Sequence, residues 1–70
     1  MEQIEITTEF IKLDAFLKFC GAADTGGMAK NLVAAEKVRV NGEICTQRGK
    51  KLRPGDCVSV SGNDYTVAAP

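Results

Sequence analysis

The sequence predicts an α+β domain, with two short helices packed on a small, mostly antiparallel sheet. Three observations carry this. Leu13, Phe16, Leu17 and Cys20 recur at i, i+3, i+4 and i+7, which is one face of an amphipathic helix. From Lys37 the period changes to two, with Val38 and Val40 alternating with Arg39 and Asn41. Asn41-Gly42 is then the strongest short hairpin signal, because both central residues of a type I′ turn need positive φ.

The elements follow in chain order. Ile4, Glu5 and Ile6 alternate apolar and polar, a short strand signal that Thr7 and Thr8 interrupt by offering hydroxyls to the local backbone. The first helix is expected over residues 12–20, with Asp14 at the positive end of its dipole and Gly21 as a left-handed stop. Asp24 or Thr25 can cap a second helix over residues 26–35, whose apolar stripe is Ala29, Leu32 and Val33 with Met28 beside it. Strands follow at Val38 to Val40, at Ile44, Cys45 and Thr46, at Cys57 to Val60, and at Tyr65, Thr66 and Val67. Residues 47–51 read as a basic loop, and Pro54-Gly55-Asp56 and Ser61-Gly62-Asn63 as turns. The last strand, residues 65–67, would offer an edge for pairing with a second copy, although a monomer is expected.

Seventy residues make one domain with a small core. A hydrophobic content of 44% is ordinary for a globular chain, and the small core leaves little room for a deep catalytic cleft. The start of the sequence has neither a basic head nor an apolar run, and no stretch approaches the length of a membrane span, so a cytoplasmic protein without membrane contact is expected. Cys20, Cys45 and Cys57 form no CxxC pair and there is no histidine, so the cysteines read as small apolar residues in a reducing compartment. No metal or cofactor is expected. Nothing resembles a nucleophile–base pair, and Asp14 and Asp56 are accounted for by helix and turn positions, so the chain is not expected to be an enzyme.

The charge is neutral in total but polarised. Residues 30–53 hold seven bases and only two acids, Glu36 and Glu43, whereas residues 1–29 hold five acids and two bases. A concentrated basic segment attracts a polyanion, and phosphate neutralisation with counterion release supplies a sequence-independent affinity. The candidate phosphate contacts are Lys12, Lys18, Lys30, Lys37, Arg39, Arg48, Lys50 and Lys51. Lys37 and Arg39 are expected to share the solvent face of the hairpin. Thr25, Gly26 and Gly27 open the second helix, where free backbone N–H groups can meet an anion and glycine permits close approach. Asn41 is a candidate contact whose turn role competes with it. Aromatic residues are too few for a platform that stacks unpaired bases, which favours folded RNA read through backbone and shape.

The order of these pieces resembles a known family. Lys12-Leu13-Asp14 and Phe16-Leu17 precede a Gly21 turn. A helix with Ala29-Lys30 and Leu32-Val33 leads to Val38-Arg39-Val40-Asn41-Gly42, and later to Lys51-Leu52-Arg53-Pro54-Gly55-Asp56. This resembles the S4-like RNA-binding domain, named for a ribosomal small-subunit protein, over about residues 11–60 of a single domain spanning 1–70. The stretch from Glu9 to Lys18 and that from Thr25 to Lys30 are most similar to small stand-alone bacterial proteins of the YaaA/YbcJ type. The resemblance implies the alpha-L motif, two helices on a small sheet, and binding of structured RNA such as rRNA or tRNA, with a ribosomal subunit among the partners. It implies that RNA lies against the helical pair and the adjoining hairpin, with Lys12, Lys30, Arg39 and Asn41 at matching positions. Many relatives carry a Ser-Arg pair where Thr25, Gly26 and Gly27 stand, and a basic residue and Gly where Ala34, Ala35 and Glu36 stand. The expected function is therefore a non-catalytic RNA-binding protein for structured RNA, in ribosome assembly or maintenance. The alternative is a protein-interaction adaptor that docks on an acidic partner.

Overall fold

In the computed structural model, which describes residues 2–70, the first helix, α1, spans Leu13–Phe19. The apolar spacing sets its inner face: Leu13, Phe16 and Leu17 are fully buried. It is one residue shorter at each end than the spacing suggests, because Lys12 and Cys20 act as its caps. Lys12 has extended backbone and no capping side chain. The first N–H groups are instead taken by a distant loop: Leu13 N donates to Lys50 O at 2.9 Å and Asp14 N to Arg48 O at 3.0 Å. Gly21, at φ +85°, turns the chain out of the helix.

The second helix, α2, spans Gly26–Ala34. Of the two possible caps, Thr25 serves, its Oγ1 accepting from Met28 N at 3.1 Å. Ala29 and Val33 are buried, Leu32 is partly buried and Met28 is exposed. The helix ends at Ala34 because Glu36 adopts φ +59°, so that Glu36 N reaches Val33 O (3.1 Å) and Lys37 N reaches Leu32 O (3.1 Å). This is a Schellman closure with glutamate at the position that favours glycine.

Among the described residues there are also seven strands: β1 Glu2–Glu5, β2 Ile11–Lys12, β3 Val38–Val40, β4 Glu43–Ile44, β5 Lys51–Leu52, β6 Cys57–Val60 and β7 Asn63–Ala68. Five form one sheet in the order β1-β7-β6-β3-β4. All its pairs are antiparallel except β1 with β7, which run parallel from Glu2↔Tyr65 to Glu5↔Ala68. The mostly antiparallel α+β arrangement is as expected. Both hairpins have two-residue loops at positive φ, Asn41-Gly42 (+52°, +86°) and Ser61-Gly62 (+53°, +78°).

Three expectations are corrected. The last strand is not an edge, since β1 covers it, and the edges are β1 and β4. Strand β4 stops at Ile44, although Cys45 N still donates to Val38 O at 3.0 Å. The basic loop ends before Lys51, which lies in β5 and pairs antiparallel with β2 in a separate two-stranded ladder. Two-residue strands carry no periodicity, so the spacing rules could not register this ladder.

The inner sheet face presents Val38, Val40, Val58, Val60, Tyr65 and Val67 to the helices, and Leu52 closes one side. Phe16 meets Tyr65 edge-on, with ring centroids 6.3 Å apart. Cys20, Cys45 and Cys57 are free thiols at intermediate burial. Burial pushes the Cys20 thiol above its ordinary value, against backbone hydrogen bonding that lowers it. Among the described residues no helix is long and apolar enough to cross a membrane.

Candidate nucleic-acid interface

The β2–β5 ladder sets Lys12 directly opposite Lys51. Directly opposed residues of an antiparallel pair share a face, and like charges there oppose folding. The same ladder continues into the loop whose Arg48 and Lys50 carbonyls cap α1. Four bases from two segments distant in sequence, Lys12 and the stretch 48–51, thus come together near the N-terminus of α1, itself the positive end of a helix dipole. All four side chains are exposed, and none forms an ion pair among the described residues. The Lys51 ammonium lies 4.8 Å from the centroid of the Phe10 ring. Thr8 Oγ1 donates to Phe10 O at 2.7 Å and fixes the approach to β2. Phe10 carries no signal in the sequence, because its partner reaches it only through the ladder.

Lys18 extends the basic surface toward α2. With Asp14, Ala15 and Gly26 it lines a concavity of about 180 Å³ between the outer face of α1 and the start of α2. Lys30 stands one turn beyond Gly26 at i+4, on the same line of α2. Neither Gly26 nor Gly27 has positive φ. A Cβ on Gly26 would meet nothing within 4 Å, and one on Gly27 only Thr25 Oγ1 at 3.9 Å. The fold does not require these glycines, so their effect is to leave the start of α2 bare. The Thr25 hydroxyl is occupied with Met28 N.

The hairpin residues do not join this group. Val38 and Val40 face the helices, so Arg39 between them points to the opposite side of the sheet. There it stands in a row with Ile44, Ser59 and Asp64, and Ser59 donates to Asp64 Oδ1 at 2.7 Å. Lys37 lies just past the C-terminus of α2, where a cation is favourable to the dipole. Asn41 braces two turns: Oδ1 accepts from Cys57 N (2.9 Å) and Nδ2 donates to Asp56 Oδ1 (3.2 Å). The other Asp56 oxygen accepts from Arg53 N at 2.8 Å, which holds the Pro54-Gly55 turn. The pattern of alternation correctly made Arg39 solvent-facing but could not say which solvent face the helices leave open.

A wider concavity, about 550 Å³, lies elsewhere, between Glu2, Gly62, Asn63, Asp64 and Tyr65. Two carboxylates and no base line it, which is the wrong sign for a phosphate. Burial, and then the charges of Cys20 and Glu2, push the Tyr65 phenol above its ordinary value. Among the described residues no group of His, Cys, Asp and Glu is placed to hold a metal ion.

The path from the middle of β1 to the end of β7 is also what comparison picks out: a family model described as the S4 domain matches residues 4–68. The chain belongs to the S4 domain family. This S4 domain chain is also 44% identical over 59 residues to the probable ribosome maturation protein RlbA of Bacillus subtilis (strain 168), across 84% of this chain and 83% of that protein. The similarity thus extends along nearly the full length of both.

Proposed function

We propose that this S4 domain chain is a non-catalytic RNA-binding protein that recognises structured RNA, and that its RNA is ribosomal and met during ribosome maturation in the cytoplasm. The observation that carries this reading is the Lys12–Lys51 pair. Two like charges held across a ladder cost folding energy and gain a use when a polyanion bridges them. Arg48, Lys50, Lys18 and Lys30 continue the surface along α1 to the start of α2. The similarity to a probable ribosome maturation protein of B. subtilis supports the ribosomal setting. Phosphate oxygens meet the lysine and arginine heads, and the bare Gly26 and Gly27 backbone offers N–H donors where α2 begins. A monomer suffices, because all six bases lie on one chain.

The experiment is capture from a bacterial lysate by the immobilised protein, with and without ribonuclease, followed by sequencing of retained RNA. Enrichment of rRNA that is lost in the Lys12→Glu/Lys51→Glu variant is expected. Retention of the same protein partners after nuclease treatment would instead establish the adaptor that docks on an acidic protein.

A further inference from the structure

The basic segment contains an acid that phosphate binding does not explain. Glu43 opens β4, directly across from Val40. With Val40, Ile44, Cys45, Thr46, Gln47 and Lys50 it lines a groove of about 230 Å³. The walls are fixed by the main chain: Cys45 N donates to Val38 O (3.0 Å) and Lys50 N to Gln47 O (3.1 Å). The Lys50 carbonyl binds Leu13 N, so the groove borders the lysine cluster around α1. Among the described residues the side chains of Glu43, Thr46 and Gln47 have no hydrogen-bond partner. A carboxylate beside a phosphate track repels the RNA backbone, and what it can contribute is acceptance of hydrogen bonds from a base edge.

We propose that this groove receives one unpaired guanine of the bound RNA. Guanine presents two adjacent donors on its Watson–Crick edge, N1–H and the N2 amino group, which match the two oxygens of Glu43. Uracil presents a single donor between two carbonyls that face the carboxylate unfavourably. Gln47 and Thr46 supply further donors and acceptors at the rim, and Lys50 neutralises the phosphate of the same nucleotide. This inference rests on the RNA-binding reading and adds base selectivity to it.

The test uses the full chain and four RNA hairpins that differ only in a single bulged nucleotide, G, A, C or U, with inosine as a fifth. Affinities are measured by fluorescence anisotropy for wild type and for Glu43→Gln, an exposed position at a sheet edge. Wild type is expected to prefer the G bulge over the U bulge by about tenfold, with inosine between them for want of the amino group. Glu43→Gln is expected to remove most of that preference. Equal wild-type affinity for all bulges would overturn the inference, as would a Glu43→Gln variant that binds every hairpin more tightly by one common factor, the signature of simple charge removal. Either result leaves salt-dependent RNA binding intact. Absence of binding to every hairpin at low salt would instead mark failure of the RNA-binding reading itself, and the guanine site would fall with it.

Discussion

Replacing Asn41 separates a brace from an RNA contact. Asn41 sits at φ +52° and its side chain makes two hydrogen bonds across to the Asp56 turn. Alanine would lose both and would keep a β-carbon in the left-handed region. Each exposed hydrogen bond contributes on the order of 0.5–1 kcal/mol, and the left-handed backbone costs alanine about 1 kcal/mol. Asn41→Ala should therefore destabilise by about 2–3 kcal/mol, and Asn41→Gly, which relieves the backbone, by about 1–2 kcal/mol. For a chain of this size that corresponds to a loss of roughly 8–24 °C in Tm for alanine and roughly 4–16 °C for glycine. Thermal melts followed by circular dichroism read both values. RNA affinity measured well below either Tm should match wild type. An Asn41→Gly variant with wild-type Tm and weakened RNA binding would refute the brace and restore Asn41 as an RNA contact.

Two other outcomes follow from backbone and burial. Glu36→Gly should raise stability by about 0.5–1 kcal/mol, since glycine fits the φ of +59° that closes α2, and chemical denaturation would detect it. Cys20 and Tyr65 both favour the protonated form when folded, so the folded state holds protons that the unfolded chain releases. Their stabilisation is complete below the ordinary values of 9.0 and 10.0 and is lost as pH rises past them through the raised folded values. Tm should therefore be level near neutral pH and fall on the alkaline side, with a shallower fall in Cys20→Ala; an identical alkaline limb in that variant would contradict the assignment.

Much of the fold could be read from the residues because its signals are local. The 3-and-4 spacing of Leu13, Phe16, Leu17 and Cys20 fixed the buried face of α1, and Asn41-Gly42 placed a hairpin whose turn needs two positive φ values. Lys30, Arg48, Lys50 and Lys51 stand out from the basic segment, Lys18 as a base on the first helix, and Lys12 joins them through the family resemblance. What escaped was pairing between segments far apart in the chain. The β2–β5 ladder has only two residues per strand, so no alternation marks it, yet it brings Lys51 to Lys12 and to Phe10. The parallel docking of β1 on β7 depends on a crossover through the whole domain and turned an expected edge into an interior strand. Arg39 illustrates a subtler limit: period two shows that it faces away from Val38 and Val40, but only the position of the helices shows that this side is opposite to them. Asn41 was legible as a turn residue, and its bonds to Asp56 and Cys57 required the third dimension.

The salt dependence of RNA affinity tests the location of the binding surface most directly. With six bases on phosphates, log K should fall with log salt at a slope of about −4 to −5. Lys12→Gln/Lys51→Gln should make that slope shallower by about two, and Lys37→Gln/Arg39→Gln should leave it near the wild-type value. A wild-type slope near zero, or a larger loss from the Lys37/Arg39 pair than from the Lys12/Lys51 pair, would contradict the α1-centred surface.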